Sequence, residues 1–142
     1  MTGETILVLE DDLLTMKGLF RHLQDAGYQV VKAATTSEAV NALWTYQVDL
    51  MILDLTLLAE DPFTGVSDGF AFRQWVRNLF PQKDIPVILH TADDSPNLEW
   101  RALSHGIAKI VRKGAGMGEL LATVRQALDE RNARQGQLPE AG

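Results

Sequence analysis

The sequence predicts a single α/β domain, an open doubly wound sheet of five parallel strands covered by five helices. Three observations lead there. Five short apolar runs alternate along the chain with five stretches of helical periodicity, the pattern of repeated strand–helix–strand units. The apolar runs are four or five residues long and rich in aliphatic and β-branched residues, which suits strands buried on both faces. The chain has 142 residues, enough to bury one real core and the size of one ordinary domain. Right-handed crossovers then place helices on both faces of the sheet.

The elements follow in order. Thr5–Leu9 (TILVL) is the first strand. Leu13, Leu14, Met16, Leu19, Phe20 and Leu23 recur at helical spacing, and Gly27 supplies a C-terminal stop. Gln29–Ala33 (QVVKA) is the second strand. Thr35-Thr36-Ser37-Glu38 forms a capping box for a helix carrying Ala39, Val40, Ala42, Leu43 and Tyr46. Leu50–Leu53 (LMIL) is the third strand. After a long loop, Phe70, Phe72, Trp75, Val76 and Leu79 mark a third helix, stopped before Pro81.

Ile85–Leu89 (IPVIL) is the fourth strand, with Pro86 near its start, where a missing N–H does least harm. Leu98–Ser104 is a short helix ended near Gly106, and Lys109–Arg112 (KIVR) is the fifth strand. Met117–Arg131 is an amphipathic helix through Leu120, Leu121, Val124, Ala127 and Leu128. The domain is therefore expected over residues 1–131, with 132–142 a polar, flexible tail.

Composition narrows the function. With 13 basic and 19 acidic residues the net charge is −6, which disfavours direct binding of nucleic acid through this domain. No apolar run approaches the roughly 20 residues that cross a bilayer, so no membrane role is expected. The stretch MTGETILVLEDD has no basic region ahead of its apolar run, unlike a signal peptide. The absence of cysteine excludes disulfides, thiolate metal sites and a thiol nucleophile. A cytoplasmic location is expected.

In a doubly wound sheet, ligands bind beyond the C-terminal ends of the strands. Glu10, Asp11 and Asp12 follow the first strand and Asp54 follows the third. His90, Thr91, Ala92 and Asp93 follow the fourth, and Lys113 follows the fifth. Clustered carboxylates at one edge suit a hard divalent cation such as Mg²⁺. A lysine ammonium and a threonine hydroxyl opposite them suit phosphoryl oxygens. The pattern points to phosphoryl transfer with Asp54 as nucleophile or acceptor.

ILVLEDD, DLMILD ending at residue 54, DGF at 68–70, VILHTA at 87–92 and KIVRK ending at 113 together resemble the receiver domain of two-component response regulators. The resemblance spans Thr5 to about Leu128. It implies a flavodoxin-like receiver fold and a phosphoacceptor switch of a two-component or phosphorelay pathway. Asp54 would accept the phosphoryl group. Glu10, Asp11, Asp54 and the Thr56 backbone carbonyl would hold Mg²⁺ (or Mn²⁺). Thr91 and Lys113 would contact the phosphoryl group, and Thr56 and Asp93 would tune its lifetime. The implied donor is a phosphohistidine on a sensor histidine kinase or a histidine phosphotransfer protein. A downstream protein target or an output domain outside this chain would read the state. The family is no enzyme beyond self-catalysed phosphoryl acceptance and autodephosphorylation.

Three departures from the family pattern stand out. The Asp68-Gly69 pair arrives roughly seven residues late, and a loop of this length (55–68) beside the acceptor suits gating or partner contact. Lys113 precedes Gly114 where the family commonly has a cis proline, which implies looser lysine placement. Ile110 stands where the family has its aromatic switch residue, so the readout is expected to be unusual.

Other features have plainer readings. Glu10 and Asp11 could cap the first helix as well as bind metal, and Asp12 is assigned to the cap. His22, His90 and His105 lack metal-ligand spacing. GAGMG (114–118) fails the dinucleotide fingerprint and is read as a strand-to-helix turn. Trp44, Trp75 and Trp100 are expected in the core or at its margin, and any exposed one would mark a partner surface. Two competing functions remain: a receiver-like interaction module independent of phosphorylation, and an aspartate-nucleophile phosphatase of the haloacid dehalogenase type. The latter normally carries a second Asp where this chain has Thr56.

Overall fold

The structure is a computed structural model and describes residues 3–55, 69–107 and 109–136. Its strands are β1 (Thr5–Leu9), β2 (Gln29–Ala33), β3 (Leu50–Leu53), β4 (Val87–Thr91) and β5 (Lys109–Arg112). Its helices are α1 (Leu13–Asp25), α2 (Thr36–Thr45), α3 (Gly69–Leu79), α4 (Leu98–Ser104) and α5 (Met117–Gly136). The strands form one parallel sheet in the order β2-β1-β3-β4-β5.

Strand periodicity divides the core in two. Leu7, Leu9, Met51, Leu53, Val87 and Leu89 face one side, where Ala39 and Leu43 of α2, Phe72 and Val76 of α3 and Leu98 and Ala102 of α4 cover them. The alternate residues Ile6, Val8, Leu50, Ile52 and Ile88 face Met16, Leu19 and Leu23 of α1 and Val124 and Leu128 of α5. Both faces of the central strands are therefore dry, which is why their sequences show no polar alternation.

Caps set the helix entries. The Asp12 carboxylate accepts from the Thr15 N–H at 2.9 Å, and Thr35 Oγ1 accepts from the Glu38 N–H at 3.1 Å. Glu38 reaches back to the Ala34 N–H at 2.8 Å, closing the expected box one residue early. Gly27 (φ 99°) ends α1 in the left-handed conformation its position requires.

Four expectations need correction. β4 begins at Val87 rather than Ile85, because Pro86 has no N–H for the ladder, and it runs on through His90 and Thr91, which pair with Val111 and Arg112. α5 continues past Arg131 to Gly136, so 132–136 are helical rather than part of a flexible tail; Arg134 is tied to Asp84 at 3.2 Å. The rest of that tail lies outside the described residues. Leu13 and Leu14 are 75% and 79% exposed, and the buried stripe of α1 is Met16, Leu19 and Leu23 alone. Trp44 and Trp100 are 66% and 71% exposed, since the buried faces of α2 and α4 are satisfied by smaller neighbours. Trp75, by contrast, packs at the margin of the core as expected.

Candidate functional site

The backbone brings the polar residues together. The Glu10 N–H donates to Ala33 O at 3.0 Å, the Asp54 N–H to Leu9 O at 3.1 Å and the Lys113 N–H to Thr91 O at 2.8 Å. Each bond extends the parallel ladder one step past the strand, so the residue at the end of the apolar run is held by its neighbour. The chain leaves β1 toward β2 on one side and toward β3 on the other, and the crevice opens at that reversal of strand order.

One cavity of about 800 Å³ at this edge is lined by Glu10, Asp11, Asp54, Thr91, Asp93 and Lys113, together with Asp12, Ala92, Leu13 and Leu14. Every described residue assigned to the site from sequence is therefore in it. Thr56 and the loop from 56 to 68 lie outside the described residues.

Lys113 Nζ stands 3.1 Å from Asp54 Oδ2 and 2.8 Å from Glu10 Oε1. The approach to Glu10 is an ion pair that sets the ammonium against the buried Oε1. Glu10 Oε2 accepts from the Asp12 N–H at 3.1 Å, which joins its proposed capping role to its position in the cavity. Burial pushes the Glu10 carboxyl above its ordinary value, with the nearby Asp54 charge adding to this while Lys113 and the Asp12 N–H oppose it. Burial alone would lower the Lys113 pKa, yet Glu10 and Asp54 together outweigh it and hold the ammonium charged. The expected loose placement of Lys113 is not seen: both its backbone and its ammonium are anchored, with no cis peptide bond among the described residues.

The donor set fits a hard divalent cation. Glu10, Asp11 and Asp54 each offer a carboxylate oxygen, all within 4.8 Å of one another, and two of them, Glu10 and Asp54, are paired with the Lys113 ammonium. The cluster found among the described residues is made of carboxylates. His90 is buried beside it, and burial, then Lys113, lowers its pKa and keeps the ring neutral.

Thr91 Oγ1 accepts from the Asp93 N–H at 3.1 Å, which leaves its own proton available to a ligand oxygen. Asp93 turns its carboxylate to Ser95, whose N–H it accepts at 2.8 Å, and Ser95 lowers its pKa.

Three residues take a place at the site that the sequence reading did not give them. Leu13 and Leu14, read there only as part of a helical apolar pattern, stand at the cavity mouth. Gly69 packs so closely on the end of β3 that a Cβ would lie 2.9 Å from Asp54 O and 3.1 Å from Leu55 Cα. Its N–H also donates to Leu55 O at 2.8 Å. Asp68-Gly69 was noted as a motif, but only the backbone approach explains the glycine.

Comparison with known proteins bears on the family and the fold. The family model described as the response regulator receiver domain matches residues 6–125. The heme response regulator HssR of Staphylococcus haemolyticus is 30% identical over 122 residues, covering 86% of this chain and 50% of HssR. The transcriptional regulatory protein PhoP of Escherichia coli K12 is 34% identical over 128 residues, covering 90% of this chain and 53% of PhoP. The chain thus spans about half the length of these relatives. A CheY-like receiver domain from Methanospirillum hungatei superposes with a TM-score of 0.80 at 22% identity, covering 94% of this chain and 99% of that one, which bears on the fold.

Proposed function

The chain belongs to the response regulator receiver domain family, and from that premise we propose that Asp54 is its phosphoacceptor. The observation that carries the assignment is the meeting of Asp54 and Lys113 at 3.1 Å within a cluster that also holds Glu10 and Asp11. A carboxylate with a fixed cation beside it is held ready for an incoming phosphoryl group whose charge that cation can share.

In the proposed reaction an Asp54 carboxylate oxygen attacks the phosphorus of a phosphohistidine on a sensor histidine kinase or a histidine phosphotransfer protein. The O–P bond forms as the P–N bond breaks, and the imidazole, already protonated on its other ring nitrogen, leaves as the neutral base. Lys113 transfers its pairing from the carboxylate to a phosphoryl oxygen, and the Thr91 hydroxyl donates to another. Glu10, Asp11, Asp54 and the Thr56 carbonyl would hold Mg²⁺ (or Mn²⁺), which supplies positive charge to the phosphoryl oxygens when bound. Leu13 and Leu14, exposed at the mouth, offer apolar contact to a protein donor.

The same pocket would return the group to water by autodephosphorylation, with Thr56 and Asp93 setting the lifetime. Phosphorylation shifts a two-state equilibrium, read by a downstream target or an output domain outside this chain. Among the described residues no helix is long and apolar enough to cross a membrane. The cytoplasm is the proposed location.

The test is incubation with Mg²⁺ and a small acyl-phosphate donor, followed by intact mass measurement. Wild type should gain one phosphoryl group and Asp54→Asn none. No gain in wild type, with a phosphorylated kinase also supplied, would overturn the proposal and favour the phosphorylation-independent module.

A further inference from the structure

At the opposite end of the sheet, before the start of β4, lies a second cavity of about 710 Å³. Arg73 and Arg77 line it, one helical turn apart on α3, with Gln74, Asn78, Gln82 and Asp84 around them. In a chain of net charge −6, two arginines at i and i+4 face one space, where like charges repel.

Arg73 is the unusual member. Its Nε is buried and has no hydrogen-bond partner among the described residues. A solvated surface arginine would keep that N–H in water, and a structural one would aim it at a carbonyl or carboxylate. Burial, and then the charge of Arg77, depress its pKa, while Asp84 opposes them. Asp84 is itself paired with Arg134 at 3.2 Å. Lys83, also at this cavity, is committed to Leu43 O at 3.2 Å and lies over the Phe80 ring. Arg77 Nη1 lies close over Gly106, where a Cβ would be 3.2 Å from it.

We propose that this cavity is an anion site for a tetrahedral dianion, a phosphoryl or sulfate group gripped by the guanidinium forks of Arg73 and Arg77. Two cations call for a dianion, and a tetrahedral oxyanion offers each fork a pair of oxygens. Binding would screen the Arg73–Arg77 repulsion and set a counter-charge beside the buried Arg73 guanidinium. The side-chain amides of Gln82 and Asn78 add neutral donors; Gln74 already donates to Asn78 Oδ1 at 3.1 Å. The site stands apart from Asp54 and does not depend on its role.

The arginine Nε–H resonances of ¹⁵N-labelled protein report on it directly. Inorganic phosphate, titrated without divalent metal at constant ionic strength, should shift the Arg73 Nε–H and the Gly106 amide saturably, and chloride should not. Arg77→Gln, at an exposed position, should weaken phosphate at least ten-fold while leaving the rest of the amide spectrum and the Asp54 labelling rate unchanged. Arg73→Lys, which keeps the charge and loses the fork, should weaken it similarly. A phosphoserine tetrapeptide separates the sources: ten-fold tighter binding than phosphate identifies a phosphorylated protein segment, and equal or weaker binding a small free anion. Shifts that stay linear, that persist in Arg77→Gln, or that fall at Lys113 and Thr91 instead would overturn the proposal.

Discussion

Gly69→Ala tests how the acceptor is positioned. A Cβ at this residue would meet Asp54 O at 2.9 Å and Leu55 Cα at 3.1 Å, and both atoms are backbone, so no side chain can rotate away. Reaching an ordinary contact of 3.4 Å requires a shift of 0.5 Å, the difference of those distances, by α3 or by the end of β3. Overpacking of this kind costs about 1–3 kcal/mol. The helix propensity of alanine returns little at the first residue of α3, so the net loss is about 1–2 kcal/mol. For a domain of this size that is a fall in Tm of roughly 3–8 °C.

The same shift moves the Asp54 peptide. If a 1 Å misplacement costs on the order of a hundred-fold in rate, half of that costs on the order of ten-fold. The assay is paired: thermal unfolding, and the rate of phosphoryl gain from an acyl phosphate well below Tm. Gly118→Ala is the control, because its added Cβ meets nothing within 4 Å; it should stabilise by about 0.5–1 kcal/mol and label normally. A Gly69→Ala protein with wild-type Tm and labelling rate would refute the packing argument.

Other expectations concern charge. Arg131→Met removes a cation whose Nη1 lies 2.7 Å from Asp49 Oδ1, while Asp49 Oδ2 still accepts the Thr5 N–H. The part-buried carboxylate left behind should cost about 1–2 kcal/mol in urea unfolding, less than a fully buried one because water still reaches it. The Glu10 carboxyl has a folded pKa raised above 4.5, so the folded state binds the extra proton and stability is lost as pH rises through the folded value. Without metal, Glu10→Gln should therefore gain on wild type as pH climbs from about 4.5 toward neutrality; a constant difference across that range would contradict the shift. Mg²⁺ at ten times its Kd should stabilise wild type by about 1.4 kcal/mol, and Asp54→Asn or Glu10→Gln by much less at the same concentration.

Much of the fold was legible because burial leaves a periodic trace. The apolar runs TILVL, LMIL and KIVR fall on their strands, and Asp12 and Thr35 cap the helices they precede. Boundaries were lost where a local signal competed with a tertiary one. Pro86 drew the start of β4 too early, and the pairing of His90 with Val111 carried its end further. The polar residues after Arg131 read as a tail because the bond from Arg134 to Asp84 spans 50 residues of sequence. Leu13, Leu14, Trp44 and Trp100 have the composition of core and the address of surface, a distinction that hydrophobicity alone does not carry.

The site was legible for a different reason. Parallel strands deliver whatever follows them to one edge, so Glu10, Asp11, Asp54, Thr91 and Lys113 could be placed together before any distance was known. What the sequence withheld was pairwise geometry. That Lys113 bridges Glu10 and Asp54 depends on register between β1, β3, β4 and β5, and that Gly69 touches Asp54 depends on where α3 docks.

The most direct test of the account is to locate the phosphoryl group. An aspartyl phosphate is an acyl phosphate, which borohydride reduces to homoserine at the modified position. After phosphorylation in the presence of Mg²⁺, reduction and tandem mass spectrometry of the digest should find homoserine at residue 54 alone. Reduction at Asp11 or Asp12, or modification confined to a histidine, would contradict the assignment of Asp54 as acceptor.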